Sequence, residues 1–450
     1  MAKYVTILQY YYHQNYDKWL RKTVKLNVGG KKFETTATTL ACAGRNSFFG
    51  SMFDEDWNPR SDGEFTERFI DRDPDYFTVL LNLLRTGELY IPSKIDKKLL
   101  YKEALYYGIQ DHVRSAKWGP FDGNRLRLAE SLTGITAGEA AMIRASQNSW
   151  CCVVRGNMVK TYDWMLEEQP SITTRDYSRV NDVCWVNSDN IAVSSSDKYL
   201  ASGGIGLFSA STGELRYNFQ VKDGDQLKDY IAGALGVSSD YKLFSSCSES
   251  TNKRNGIGVW DQVTGKQTDF LPYWPYKATK FQWLHGTNCL MVATCHSMSK
   301  CSINLFDFRE NRVFLSWSNA MDERVYRDAI AIEESNSICV VDSKETLGFM
   351  DLRSINSIEW RGTHTRGFTE KLSGWTGYKF SYPKLAFHKG QLFSSFDDTI
   401  SVYCGSDWVR TSQLQQSHGG PIWDFSIGGD RLFALHGSED IFDVWETPRP

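Results

Sequence analysis

A step centred on an aromatic or large apolar residue recurs seven times in this chain, and this repeat constrains the fold more than any other feature. The central residues are Tyr162, Phe208, Trp260, Phe306, Met350, Tyr403 and Trp445. By subtraction they lie 46, 52, 46, 44, 53 and 42 residues apart. Four-stranded propeller blades repeat every ~40–45 residues, and at longer intervals where a loop is inserted. Seven occurrences therefore predict seven blades.

An apolar strand that ends in small residues precedes six of the seven steps. These strands are predicted at 191–194, 242–246, 290–293, 338–341, 391–394 and 431–434. Small residues suit the crowded centre of a propeller, so we predict that these are inner strands beside the channel. Residues 124–129 have strand alternation ahead of the first blade. We predict that they complete the last blade and remove its exposed edge.

The repeat resembles the WD40/YVTN-like propeller, with two departures from standard WD40 repeats. Among the seven steps only Trp260-Asp261 is a Trp-Asp pair, and the sequence contains no Gly-His dipeptide. The buried hydrogen-bond tetrad of WD40 blades therefore cannot be assembled here in its usual form. This departure leaves the number of blades open by about one, but not the repeat architecture.

The first hundred residues have a different pattern, which begins with a predicted β-hairpin. Val24, Leu26 and Val28 alternate with polar residues, and Gly29-Gly30 supplies the positive φ angles of a tight turn before a return strand at 31–35. A further strand is predicted at 65–70, then helices at 75–84 and 96–107, the second being the last of this region. These elements carry the segments Thr38-Thr39-Leu40, Ser47-Phe48-Phe49, Asp71-Arg72-Asp73-Pro74 and Leu83-Leu84-Arg85-Thr86-Gly87. With these segments in this order, the region resembles the BTB/POZ domain of the potassium-channel tetramerisation type.

The predicted fold class is therefore an α+β BTB/POZ domain followed by an all-β, seven-bladed, WD40-like β-propeller. The BTB/POZ domain is predicted at 23–117, a short linker at 118–123 and the propeller at 124–450. Residues 1–22 form an N-terminal extension to which we assign neither structure nor function.

Composition and charge narrow the class of protein. The net charge of −3, with lysine and arginine scattered along the chain, argues against nucleic-acid binding. No apolar run approaches the roughly eighteen residues that a membrane helix needs, so we expect no membrane insertion. The ten cysteines occur at irregular positions, mostly inside apolar strand patterns, which is typical of reduced core residues. We therefore expect a cytoplasmic or nuclear protein.

The sequence contains no convincing catalytic or metal-binding constellation. Cys289, Cys295, His296 and Cys301 lack the short Cys-x-x-Cys spacing of structural zinc sites. Paired carboxylates such as Asp397-Asp398 occur at turn-like positions. We predict that the protein is not an enzyme and uses neither a metal nor another cofactor.

Together the two regions resemble plant BTB/POZ proteins that carry a WD40/YVTN-like propeller. The resemblance implies a substrate adaptor of a cullin-3 RING ubiquitin ligase. The BTB domain would bind cullin-3 and further copies of itself, and the propeller would hold an unidentified substrate protein. The alternative is an oligomeric scaffold or membrane-protein partner with no link to ubiquitination.

Two sets of residues are candidates for these surfaces. Those predicted for the cullin or oligomer interface are Phe49, Met52, Phe53, Asp71, Arg72, Asp73 and Arg85. Those predicted for the substrate face come from segments that precede innermost strands, and they are Arg324, Tyr326, Arg327, Tyr382 and Trp423. Core packing is the alternative for Phe49, Met52 and Phe53. Helix capping is the alternative for the charged members of the first set, and a structural role for each member of the second.

Overall fold

A computed structural model describes residues 23–51, 67–133, 141–174, 177–197, 202–223, 226–227, 230–249, 255–274, 277–295, 301–319, 324–361, 383–415, 420–437 and 441–449. The chain divides into two compact units, Met1–Pro120 with Pro448–Pro450, and Phe121–Thr447. The division falls within the predicted linker.

The first unit begins with the predicted hairpin. Strands β1 (Thr23–Val28) and β2 (Lys31–Thr36) pair antiparallel, and β3 (Arg68–Ile70) pairs parallel to β1, giving the order β2-β1-β3. Gly29 and Gly30 form the turn with φ angles of +54° and +90°, in the left-handed region that glycine reaches without strain. Of the strand predicted at 65–70, residues 65 and 66 lie outside the described residues.

Five helices of this unit are described: α1 (Ala37–Ala41), α2 (Phe48–Ser51), α3 (Pro74–Thr86), α4 (Lys97–Tyr106) and α5 (Gln110–Lys117). Asp73 caps α3 by accepting a hydrogen bond from the Asp75 amide at 2.8 Å, and Pro74 occupies the first turn, where no amide donor is needed. Gly87, at φ +73°, ends the helix. Helix α5 was not predicted, so the prediction of 96–107 as the last helix was wrong.

The described residues of the second unit form seven four-stranded antiparallel sheets, which we number as blades 1 to 7. From the first strand outwards, blade 1 is Met142–Ala145, Cys151–Arg155, Met158–Tyr162 and Ile172–Thr173; blade 2 is Arg179–Trp185, Asn190–Ser196, Gly203–Ser209 and Leu215–Phe219; blade 3 is Ile231–Val237, Lys242–Ser248, Asn255–Asp261 and Gln267–Trp274; blade 4 is Lys280–Leu284, Cys289–Cys295, Cys301–Asp307 and Arg312–Ser318. Blade 5 is Tyr326–Ile332, Ser337–Asp342, Leu347–Asp351 and Ser354–Arg361; blade 6 is Lys384–His388, Gln391–Phe396, Thr399–Cys404 and Val409–Gln415; blade 7 is Ile422–Gly428, Arg431–His436, Ile441–Glu446 and Arg127–Thr133. Lys222–Asp223 and Gln226–Leu227 form a separate small hairpin.

All seven predicted steps lie on the third strand of a blade, which confirms the predicted propeller repeat. The first strand of every blade contacts the first strands of both neighbouring blades, so the seven first strands form a closed inner ring. The strands that we predicted as inner are the second strands, and that prediction was wrong. The first and second strands are both short and apolar, so the periodicity of the sequence does not show which of them lies nearer the propeller axis.

The fourth strand of blade 7 comes from the beginning of the unit, as predicted. Arg127–Thr133 pairs antiparallel with Ile441–Glu446, with Leu132 opposite Phe442. The strand begins three residues later than predicted because Gly123–Arg125 forms a short 3-10 turn. This turn packs on blade 6, where the Gly123 amide donates to Gln391 Oε1 at 2.6 Å.

Candidate binding surfaces

Phe49, one of the predicted interface residues, lies in the core of the first unit. Its side chain is fully buried and stacks on Tyr107 with ring centroids 5.2 Å apart. Phe77 packs against the same tyrosine at 5.4 Å. Phe49 is thus a core residue and shapes any neighbouring surface only indirectly, which corrects its assignment as a contact residue. Met52 and Phe53 lie outside the described residues.

Three of the four charged candidates on this unit have internal contacts. Arg72 lies over the Tyr106 ring at 3.7 Å and pairs with Glu103 at 3.6 Å. Asp73 caps α3, and Arg85 donates to the carbonyl of Glu34 at 2.7 Å, which ties α3 to the hairpin. Asp71 is exposed, and no contact of its side chain is found among the described residues. It is the charged candidate most available to a partner.

Helix α4 has an exposed apolar surface that was not predicted. Leu105 is 59% exposed and Leu99 49%, while Leu100 and Ala104 of the same helix are buried. The buried face of α4 packs it against the core. The exposed Leu99 and Leu105 are therefore available for contact with another protein. The signal was present in the sequence 97–106, where five large apolar residues are too many for one buried stripe.

Two of the candidates on the propeller lie together at the start of blade 5. Arg324 is exposed and lies over the Trp360 ring at 4.0 Å, within 3.4 Å of the Asp342 carboxylate. Tyr326 is 2% exposed and packs edge-on to Trp317 at 5.2 Å. Arg324 and Trp360 can therefore meet a ligand. Tyr326 is buried and packs against Trp360 with ring centroids 5.7 Å apart, which corrects its assignment as a contact residue. Tyr382 lies outside the described residues.

Arg327 and Trp423 occupy equivalent places in two different blades. Each is the extra residue of a β-bulge in a first strand, and Asn181 is the extra residue in blade 2. A bulge redirects its extra side chain, and such distortions are frequent at binding sites. Trp423 is half-buried and lies so close above Gly437 that a Cβ there would come within 1.6 Å of its indole nitrogen.

An aspartate follows each of these three bulge residues and joins one blade to the next. Asp182 accepts from the amide of Leu235 at 2.9 Å, Asp328 from Leu385 at 2.8 Å, and Asp424 from Ile143 at 3.1 Å. Each acceptor lies in a first strand and each donor in the first strand of the following blade. These contacts were not predicted, because partners some 50 or more residues apart leave no local spacing pattern in the sequence.

Basic residues on other first strands neutralise the three bulge aspartates. Arg144 contacts Asp424 at 2.6 Å and Asp182 at 3.1 Å, Lys384 contacts Asp424 at 2.8 Å, and Lys280 contacts Asp328 at 2.9 Å. Burial would raise the pKa of Asp424, but Lys384, Arg144 and hydrogen bonds together hold it below its usual value. The three bulge aspartates are thus each paired with a basic residue of the inner ring.

Blade 7 holds a polar network in which His436 and Asp443 are buried and Ser131 is exposed. His436 Nε2 lies 2.8 Å from Asp443 Oδ2, and Ser131 donates to Asp443 Oδ1 at 2.6 Å. The three residues come from the second, third and fourth strands, so the network fastens the closing strand to its blade. The carboxylate lies between the other two groups, whereas in a serine–histidine–aspartate triad the histidine lies between.

Within the described residues no group of three or more His, Cys, Asp or Glu side chains is arranged to hold a metal ion. Cys289 and Cys301 are both 2% exposed, while His296 and the Cys295 side chain fall outside the described part of the chain. Burial raises the pKa of the Cys152 and Cys184 thiols to about 12. Among the helices that the structure describes, none is long and apolar enough to cross a membrane.

Comparison with known proteins agrees with both units. A family described as "At2g24240-like, C-terminal beta propeller" matches residues 134–447, and the BTB/POZ domain family matches residues 24–116. BTB/POZ domain-containing protein At4g30940 of Arabidopsis thaliana is 55% identical over 95% of this chain and 98% of that protein. BTB/POZ domain-containing protein At2g24240 of the same plant is 55% identical over 94% and 97%. Human BTB/POZ domain-containing protein KCTD21 is 27% identical over 64% of this chain and 96% of its own.

Proposed function

Because this chain belongs to the BTB/POZ proteins with an At2g24240-like C-terminal β-propeller, we propose that it is a substrate adaptor of a cullin-3 RING ubiquitin ligase. The BTB unit binds cullin-3 and further copies of itself, and the propeller binds the protein to be ubiquitinated. The adaptor works in the cytoplasm or the nucleus.

The observation that carries this proposal is the separation of the chain into two compact units with different kinds of surface. The first unit presents exposed Asp71 and the apolar residues of α4, which suit a protein interface. The second is a closed ring whose bulged first strands present Arg327 and Trp423. Arginine and tryptophan are common anchors of protein interfaces.

An adaptor of this kind acts by proximity rather than by chemistry. Holding a substrate near a charged ubiquitin-conjugating enzyme raises the effective concentration of its lysines. Self-association of the BTB unit then multiplies weak propeller contacts into avidity.

Binding of the full chain to the N-terminal domain of cullin-3 tests the proposal. We expect saturable binding at micromolar concentration or below in biolayer interferometry. The charge reversal Asp71→Arg should weaken binding about tenfold, because it replaces an exposed interface charge by its opposite. Asp111→Arg makes the same change on α5, at a side chain 91% exposed, and serves as the control.

A folded, self-associated chain that shows no binding to cullin-3 would rule out the ligase role and leave the oligomeric scaffold or membrane-protein partner. Light scattering measures the self-association in the same samples. An equal loss of binding in the Asp71→Arg and Asp111→Arg variants would remove Asp71 from the interface.

A further inference from the structure

Blade 3 departs from the bulge pattern of the inner ring. Its first strand is bulged at Gly233 and Ala234, opposite Ser246. These two residues stand where blades 2, 5 and 7 have a larger side chain followed by an aspartate. Blade 3 therefore supplies no carboxylate to this part of the ring.

Two cations nevertheless lie beside this bulge. Arg179 begins the first strand of blade 2, and Lys277 precedes the first strand of blade 4; both strands contact the first strand of blade 3. Neither side chain has an ion pair or hydrogen bond within the described residues, unlike Arg144 or Lys384. Burial and the nearby Arg179 charge lower the pKa of Lys277. A positive charge is thus held here without a counter-ion among the residues that the structure describes.

A buried hydroxyl group lies at the same bulge. Ser246 is 1% exposed, and its Oγ has no hydrogen-bond partner in the described chain. A Cβ at Gly233 would lie 2.3 Å from this Oγ, 2.8 Å from Lys277 Cε and 3.5 Å from Lys277 Nζ. Gly233 therefore lets the Ser246 hydroxyl and the Lys277 side chain approach this strand closely, so that a hydroxyl and an ammonium group lie side by side. A buried polar group without a partner costs free energy, which a ligand can recover.

We propose that Arg179, Lys277 and Ser246 form an oxyanion-binding site at the bulge of blade 3, and that it takes a carboxylate or phosphate monoester on a side chain of the bound protein. The two cations supply charge-assisted hydrogen bonds and the hydroxyl a further donor, which match the several acceptor oxygens of such a group. The assignment of the anion to a bound protein rests on the proposed adaptor role.

Isothermal titration of the full chain with two small probes tests the site and distinguishes the two sources. The probes are N-acetyl-phosphoserine amide and N-acetyl-aspartate amide. We expect saturable binding of at least one of them. The double substitution Arg179→Gln/Lys277→Gln should abolish it, and Ser246→Ala should weaken it about threefold to tenfold, since one hydrogen bond to a charged group is lost. Lys266→Gln removes an exposed charge at the opposite end of blade 3 and should leave binding unchanged.

Each outcome decides the proposal. Binding that is lost in the double variant, weakened by Ser246→Ala and kept in Lys266→Gln supports it, and the preferred probe identifies the anion. No saturable binding to the parent chain overturns it, as does equal binding in all variants. If the double variant does not fold, Ser246→Ala alone decides, because it removes a single oxygen. The cullin-3 measurement is independent: a chain that binds cullin-3 but neither probe refutes the site and leaves the adaptor role.

Discussion

Asp424 shows how one residue can hold three blades together. Its side chain is 2% exposed, yet it bears a charge that contacts Arg144 of blade 1 and Lys384 of blade 6. It also accepts the Ile143 amide of blade 1. Removing one member of a buried ion network leaves the others uncompensated, which costs more than the network itself contributes.

We therefore predict that Asp424→Asn destabilises the propeller by about 3–5 kcal/mol. The asparagine keeps the size of the side chain but leaves Lys384 without its carboxylate partner. Asp407→Asn is the matched control, because Asp407 is exposed and no contact of its side chain is found in the described chain. Its effect should be within about 0.5 kcal/mol. Urea unfolding of both variants measures the difference, and similar midpoints would contradict a structural role for Asp424.

The same carboxylate makes the stability depend on pH. The pKa of Asp424 is lower in the folded chain than the value of about 3.9 of an unfolded aspartate. Its contribution is therefore fully present above pH ~4 and is lost as the pH falls through the folded pKa. The stability difference between the parent chain and Asp424→Asn should accordingly shrink as urea titrations move from pH 6 to pH 3.

At the scale of elements, the hairpin turn of the first unit joins the sheet to α3. The Gly29 amide donates to the carbonyl of Ile70 at 2.9 Å. A Cβ at Gly29 would lie only 2.4 Å from the carbonyl oxygen of Arg72 and 3.1 Å from the ring of Pro74. At Gly30 a Cβ would have no neighbour within 4 Å. The two glycines thus share a left-handed backbone, but only Gly29 is also required for close packing.

This difference predicts unequal effects of alanine at the two positions. Gly30→Ala should cost about 1 kcal/mol, the cost of a left-handed conformation in a residue with a Cβ. Gly29→Ala should cost at least about 2 kcal/mol more, because the hairpin must move away from α3. Thermal unfolding of the BTB unit, followed by circular dichroism in the full chain, provides the comparison. Equal losses of stability in the two variants would show that the carbonyl of Arg72 can move away from position 29 without a free-energy cost.

These elements also show what sequence can predict. Gly29-Gly30 and the seven steps were found because their conformations depend on local residue types and spacing. Helix α5 was missed because only Val113 and Ala116 of its eight residues are buried and no side chain caps its first turn. The bulges, and with them the Arg179, Lys277 and Ser246 cluster, depend on register between strands and on contacts between blades, which spacing along the chain does not encode.

At the scale of the whole molecule, closure of the ring depends on a segment from the beginning of the unit. Phe121 packs on Phe393 of blade 6 with centroids 5.9 Å apart, and Asn124 Oδ1 accepts from Thr411 at 2.6 Å. The chain then supplies the fourth strand of blade 7, where Ser131 donates to Asp443. Residues 121–133 therefore bind two successive blades and connect the two ends of the propeller unit.

The closing strand of blade 7 should consequently contribute more to the stability of the propeller than the fourth strand of blade 6 does. Ser131 of blade 7 and Gln413 of blade 6 occupy the same position, opposite Asp443 and Ser401 on their third strands. Proline at either position introduces the same backbone disruption. In blade 6 the disrupted strand stays attached through its own hairpin, so the damage is local. In blade 7 the same disruption releases the end of the ring.

We predict that Ser131→Pro lowers the unfolding temperature of the propeller by several degrees more than Gln413→Pro does. Ser131→Ala separates the lost hydroxyl from the lost strand pairing, and it should account for only about 1 kcal/mol. Differential scanning calorimetry of the full chain measures all three variants. If both proline variants unfold at the same temperature, the contacts between the first strands of blades 1 and 7 suffice to hold the ring, and the closing strand merely covers an edge.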